Sequence, residues 1–284
     1  MNDKWLPSPR ELIRQERRKK IAQRKYLIAG FSTFVVLAGL IALVITSPGW
    51  EIVKKTFFDI EYGREVFPTV IKGILLNIKL TIIGSLCIGA IALLLAILRT
   101  TRSAALTPFR LLATAYVDVF RGIPLLLVIF LIGFGVPALG LKGLTSNVTI
   151  LGTAAVVITY SAYVAEVIRS GILSIHPSQR AAARSLGLTH SQSMRFIVLP
   201  QALRRVVPPL LNDFVALLKD TGLVSILGVI DAIRAAQINA SRTFNYTPYV
   251  VAALLFLCIT IPLTRYTDRA LRNTYARQNS EGAI

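Results

Sequence analysis

Gln179-Arg-Ala-Ala-Ala-Arg-Ser-Leu-Gly-Leu-Thr-His-Ser-Gln-Ser-Met-Arg-Phe-Ile-Val-Leu-Pro200 is a polar island between two strongly apolar segments, and its reading decides the fold. Ala181, Ala182 and Ala183 favour helix, Gly187 fits a left-handed stop, and Thr189 with Gln192 has the spacing of a capping box. The stretch predicts two short helices split by Gly187, the second closed by Pro200. Met194, Ile197 and Val198 fall on one face of that second helix, a face suited to a groove on another protein. An ordinary loop can have the same make-up.

The rest of the chain is membrane-like. Of 284 residues, 54% are hydrophobic and 16% charged, with mean hydropathy +0.62 and a formal charge of +18. These values fit a polytopic membrane protein rather than a soluble domain. A pI near 10.5 would suit nucleic acid. The Lys and Arg residues, however, lie between long apolar runs rather than along one soluble face, so no nucleic-acid partner is expected. Cys87 and Cys258 fall inside apolar runs and read as small buried hydrophobes, which supports neither a disulfide nor a metal site. His176 and His190 flank the first island helix and read as solvated loop residues.

Apolar runs at 26–46, 72–98, 111–136, 148–170, 206–228 and 247–264 each approach the roughly 20 residues that a bilayer demands. They predict an all-α integral membrane protein with six transmembrane helices. A basic arm, 1–25, precedes the first, which lacks a small-residue cleavage site and reads as an uncleaved helix. Residues 47–71, with Ser47-Pro48-Gly49 and the aromatic residues Trp50, Phe57, Phe58, Tyr62 and Phe67, read as a partly helical external connector. Residues 268–284 read as a tail. Lys and Arg total 22 over 1–25, 99–110, 169–205 and 265–284, against 6 over 47–71, 137–147 and 229–246. That bias assigns both termini and the loop 174–203 to the cytoplasm. Subtracting acids leaves +17 inside and +1 outside, so the net charge is mostly an orientation signal, with anionic lipid expected against the arm.

Ionisable residues inside a membrane are costly and mark function or pairing. Lys72 and Lys79 can snorkel outward. Asp118 with Arg121, and Glu166 with Arg169, have the (i, i+3) spacing of structural ion pairs. Asn212, Asp213, Lys219 and Asp220 are the candidates for a translocation path. Lys219 and Asp220 cannot face each other on a helix, so each needs a partner elsewhere.

Ala182-Ala183, Gly187 four residues on, and Ile197-x-Leu199-Pro200 resemble the EAA loop of ABC importer permeases, with Ala181 where that loop usually has Glu. Gly73 with Leu76 to Leu80, Tyr116 to Leu126, Ser161 to Ile175 and Leu199 to Leu227 extend the likeness over about 70–267. There the chain is similar to the polar amino acid branch of type I importers, the histidine, glutamine, arginine and glutamate permeases. The resemblance implies a five-helix permease domain over 72–267, with 26–46 as an extra N-terminal helix. It makes 174–203 a coupling loop, carried by Ala181, Ala182, Ala183, Gly187, Met194, Ile197, Leu199 and Pro200, that docks on an ATPase. It further implies a dimer with the same or a homologous permease, ATPase subunits holding ATP and Mg, an external solute-binding protein, and a bacterial inner membrane. The cargo would be an acidic, amide or basic amino acid.

The chain holds no Gly-x-x-x-x-Gly-Lys-Ser/Thr phosphate loop and no His-Glu-x-x-His, and both histidines sit in one loop, so it is not expected to be an enzyme. An ion-coupled secondary amino acid carrier is the competing expectation, with Asp213 as its titratable residue.

Overall fold

Asp59 starts the helix on which the bundle is built: its carboxylate accepts from the Tyr62 N–H at 3.0 Å, and its own N–H donates to Thr247 Oγ1 at 3.1 Å. The computed structural model describes residues 9–101 and 103–281, the side chains of 16 and 270–281 excepted, so the ends of the expected arm and tail lie outside it. The chain divides into two units, Met1–Thr56 and Phe57–Ile284. In the first, α1 (Pro9–Ile45) carries the basic arm into the first apolar run without a break, and α2 (Trp50–Phe57) follows the turn at Pro48-Gly49.

The second unit is all helical. α3 (Ile60–Thr100) begins twelve residues before the expected start at 72 and absorbs half of the expected connector. Its buried positions, Val66, Val70, Gly73, Ile74, Asn77, Leu80, Thr81, Gly84, Ile88, Ala92 and Ala96, recur at three- and four-residue intervals and form one stripe. That stripe packs on α6 (Val148–Leu173), whose Gly152, Ala155, Thr159, Ala162 and Ala165 are equally small. Lipid supplies no hydrophobic drive between helices, so close approach through small residues is what holds such a pair.

α4 (Thr107–Gly122) and α5 (Leu125–Ala138) are bent by 105° at Ile123-Pro124. The expected single helix over 111–136 is therefore broken. Ile123 sits at φ −99°, ψ 132°, because a residue that precedes proline is pushed out of the helical region. α7 (Pro177–Ser185) and α8 (His190–Ser193) form the island. A π-helical turn, Met194–Val198, then runs straight into α9 (Leu199–Asp220). Pro200 does not close the second island helix. It stands in the first turn of α9, where a missing N–H breaks little, and Leu199 N–H reaches back five residues to Met194 O. α9 ends in a tighter 3₁₀ stretch, Thr221–Leu227, stopped by Gly228 at φ +91°.

α10 (Ala232–Thr243) and α11 (Thr247–Glu281) complete the unit. One core joins α3, α4, α5, α6 and α9, and a second joins Val66, Val70 and Ile74 of α3 to Ala232, Ala236 and Ala252. Cys87 and Cys258, on α3 and α11, are exposed rather than buried. Among the described residues, four helices are long and apolar enough to cross a membrane, five when the bent pair counts as one.

Candidate functional site

The island is built as its residues dictate. His176 Nδ1 accepts from the Ser178 N–H at 3.2 Å and caps α7, a role the sequence reading did not give it. At the other end Leu188 N–H bonds Ala183 O and Gly187 N–H bonds Arg184 O, with Gly187 at φ +76°. This is the paired arrangement of a glycine-stopped helix. The Thr189 and Gln192 capping box is formed from both sides.

The outward face differs from the expected one. Val198 is 1% exposed and joins the main core, Met194 packs against that core, and Ile197 is half-buried. What the island exposes is Leu186 at 79% and Phe196 at 63%, with Ala181 and Ala182. Leu199 is half-buried and Pro200 exposed, whereas Ala183 is fully buried. Met194, Ile197 and Val198 do share a face, but it packs on the protein's own core rather than on a partner. Leu186 and Phe196 were missed; the position of Leu186 beside the glycine stop was the available signal.

The island is braced to the bundle. Arg205 Nη1 donates to Ser174 O at 2.8 Å and Arg180 Nη2 to Ile172 O at 2.8 Å. A Cβ on Gly171 would overlap Val206, so α6 and α9 touch at the root of the loop.

Above the island stands a charged knot. Glu166 takes Arg99 at 2.6 Å and Arg169 at 2.6 Å, with Arg121 at 3.8 Å, which ties α3, α4 and α6 together. The Glu166–Arg169 pair thus forms at its expected spacing. Asp118 and Arg121 do not pair among the described residues: Arg121 turns to Glu166 and lies 6.0 Å from the Tyr163 ring centroid, and Asp118 is exposed. At the end of α4, Arg121 has a carboxylate on another helix within reach, and that outweighs a solvated (i, i+3) partner.

The four translocation candidates separate by helical phase. Asp213 and Asp220, seven residues apart, are half-buried, whereas Asn212 and Lys219 are exposed. Asp220 Oδ2 accepts the Tyr160 hydroxyl at 2.6 Å, which supplies the partner that the Lys219-Asp220 step lacked. Asp213 borders a cavity of about 270 Å³ between α3, α6 and α9, lined also by Ser85, Gly89, Tyr160, Leu210 and Phe214. Its buried Oδ2 has no hydrogen-bond partner among the described residues. A largely apolar pocket with one unpartnered carboxylate and a tyrosine can receive an ammonium group.

Sequence reading passed over Asp231, which it placed in an external loop. Asp231 is fully buried, accepts Asn77 Nδ2 at 3.0 Å and the Arg234 N–H at 2.9 Å, and caps α10. Asn77 also donates to Thr221 Oγ1 at 3.3 Å and accepts from Ala232 N–H at 3.2 Å. Burial pushes the Asp231 carboxyl above its usual range, opposed by these hydrogen bonds. The signal was an Asp just before a helical run. Lys72 and Lys79 are exposed on α3.

Residues 106–272 match the family described as binding-protein-dependent transport system inner membrane component. The chain is 38% identical over 207 residues to a probable glutamine ABC transporter permease protein, GlnM, of Bacillus subtilis, covering 71% of this chain and 91% of that one. It is 33% identical over 217 residues to a probable amino-acid ABC transporter permease protein, YckA, of the same organism, covering 76% and 92%. A crystal structure of an amino acid ABC transporter with histidines superposes with a TM-score of 0.68 at 33% identity, covering 76% of this chain and 98% of its own.

Proposed function

The chain belongs to the family of inner membrane components of binding-protein-dependent transport systems, and on that footing we propose that it is the membrane-spanning permease of an ATP-driven importer of polar amino acids. The cargo class is acidic, amide or basic amino acids. In this reading six helices cross a bacterial inner membrane, the extra one at 26–46, with both termini in the cytoplasm. A second permease subunit, the same or homologous, completes the path. ATP and Mg belong to partner ATPase subunits, and an external binding protein delivers the solute.

The observation that carries the proposal is the unbroken helical run from α8 through the π turn into α9. Its lower end carries the exposed Phe196, and Asp213 on the cavity lies fifteen residues above Val198, about 22 Å along a helix axis. Closure of the ATPases moves the island, the helical run moves with it, and the cavity wall formed by Asp213, Leu210 and Phe214 shifts against α3 and α6. Asp213 holds the amino group of the cargo, and Tyr160, fixed by Asp220, shapes the pocket beside it.

The test is uptake into vesicles holding the chain, its ATPase and its binding protein, over a panel of amino acids, with Gly187→Val as the uncoupled control. A β-branched residue at φ +76° is strained and deforms the island stop without touching the bundle. ATP-dependent uptake that this change abolishes is expected. Transport that follows an ion gradient in the absence of the ATPase would sink the reading.

A further inference from the structure

Residues 174–203 contain Arg180, Arg184 and Arg195 and not one Asp or Glu. The position where the resembling loop has its carboxylate is Ala181, and it is exposed. Between α7, α8 and the end of α6 lies a cavity of about 420 Å³ lined in part by Arg180, Arg184, Leu188, His190, Ser193 and Met194. Arg180 spends one Nη2–H on Ile172 O and leaves its buried Nε–H without a partner. Arg184 is exposed, and among the described residues neither arginine has a carboxylate within ion-pair distance. On the same island Leu186 and Phe196 stand exposed, with the Arg195 guanidinium 5.6 Å from the Phe196 ring centroid.

Three guanidiniums with no carboxylate within ion-pair distance among the described residues, on the same island as two exposed apolar anchors, define a surface whose complement carries acidic and apolar groups. We infer that the ATPase face receiving this island is acidic: a carboxylate of the ATPase enters the cavity between Arg180 and Arg184, while Leu186 and Phe196 seat in an apolar socket. The polarity is the reverse of a loop that brings its own Glu. The cavity suits this occupant because a guanidinium fork pairs a carboxylate through two parallel hydrogen bonds, and Arg180 has a buried donor left for it. The inference rests on the reading of the island as the ATPase dock. An anionic lipid headgroup offers similar oxygen acceptors and is the occupant to be tested against.

The full chain in phosphatidylcholine nanodiscs is titrated with its ATPase, from about 50 to about 500 mM NaCl, a range over which the screening length shrinks several-fold. Binding of the unchanged chain is expected to weaken steeply with salt. Arg184→Glu is expected to raise Kd by roughly tenfold or more at low salt, with Arg184→Lys in between, because reversing a charge at a complementary rim creates repulsion. Lys142→Glu, a charge reversal on the 139–147 loop, is the control and leaves Kd unchanged. Melting of the Arg184 variants is read alongside and stays at the level of the unchanged chain. ATPase binding that is salt-insensitive and unaffected by Arg184→Glu would overturn the acidic face while leaving the dock standing. Absence of ATPase binding by the unchanged chain would overturn both. If Arg184→Glu alters only the affinity for vesicles containing phosphatidylserine, the cavity takes a lipid headgroup and the inference fails.

Discussion

Replacing Glu166 by Gln keeps the shape of the side chain and one acceptor oxygen but removes the carboxylate that, among the described residues, lies within ion-pair distance of Arg99, Arg169 and Arg121. The Arg99 side chain is 9% exposed and that of Glu166 21%. Arg99 is then left as a nearly buried cation without a counter-ion. Removing one partner of a buried pair costs about 3–5 kcal/mol, and the partial exposure of Glu166 puts the expected loss at the lower end, about 3 kcal/mol. For a chain of this size each kcal/mol moves the melting temperature by about 2–4 °C, so a fall of about 6–12 °C is expected. The assay is thermal unfolding in nanodiscs followed by far-UV circular dichroism. Two comparisons isolate the cause. Glu166→Leu combined with Arg99→Met should recover part of the loss, because the nearly buried Arg99 charge is no longer orphaned, whereas Arg169 and Arg121 lose their carboxylate at partly exposed positions. Asp118→Asn should change the melting point little, since Asp118 is exposed and unpaired with Arg121. A Glu166→Gln protein that melts like the parent would refute the knot as the clasp of α3, α4 and α6.

Gly171→Val should destabilise the bundle by about 1–3 kcal/mol, read as a lower melting point, because the added side chain overlaps Val206 where α6 meets α9. Asn77→Leu removes the donor to Asp231 Oδ2 and orphans the Ala232 N–H, at about 1–3 kcal/mol for each group, and amide exchange over α10 should speed up. Asp213→Ala should leave melting unchanged, since its buried Oδ2 bonds nothing among the described residues, yet raise the KM for uptake by roughly tenfold to a hundredfold through loss of a charge-assisted hydrogen bond to cargo. Leu186→Ala, at a 79% exposed position, should spare melting and lower the ATPase activity stimulated by the permease.

What the sequence made legible was local chemistry. The Gly187 stop and the Thr189-Gln192 box are fixed by residues within a few positions of one another, and both are formed. The same holds for Glu166 with Arg169, one turn apart on α6. Properties that depend on a neighbouring helix were not legible. Arg121 chose Glu166, 45 positions away, over Asp118, three away, and only the crossing of α4 and α6 makes that choice available. Met194 and Val198 had the periodicity of an apolar face, but periodicity does not say whether such a face meets a partner or the protein's own core. Two signals were present and underused. Ile123 stands before a proline, which foretells the break between α4 and α5. Asp231 opens a helical run as an N-cap, which foretells a folded segment rather than a plain connector.

The π turn at Met194–Val198 also sets a phase. A helix turns by about 100° per residue, so the compass bearing of the island relative to α9 is a count of residues modulo that angle. Loops elsewhere can lengthen with little consequence, but one residue added or removed between Phe196 and Asp213 would turn Phe196 and the island behind it by about 100° relative to Asp213. Deleting one residue from the π turn would even give a more regular helix, yet one aimed at the wrong point of the horizon. On the coupling proposed above, the length of this segment is itself a requirement: a chain could keep its stability and its cavity and still lose its drive to a single-residue gap.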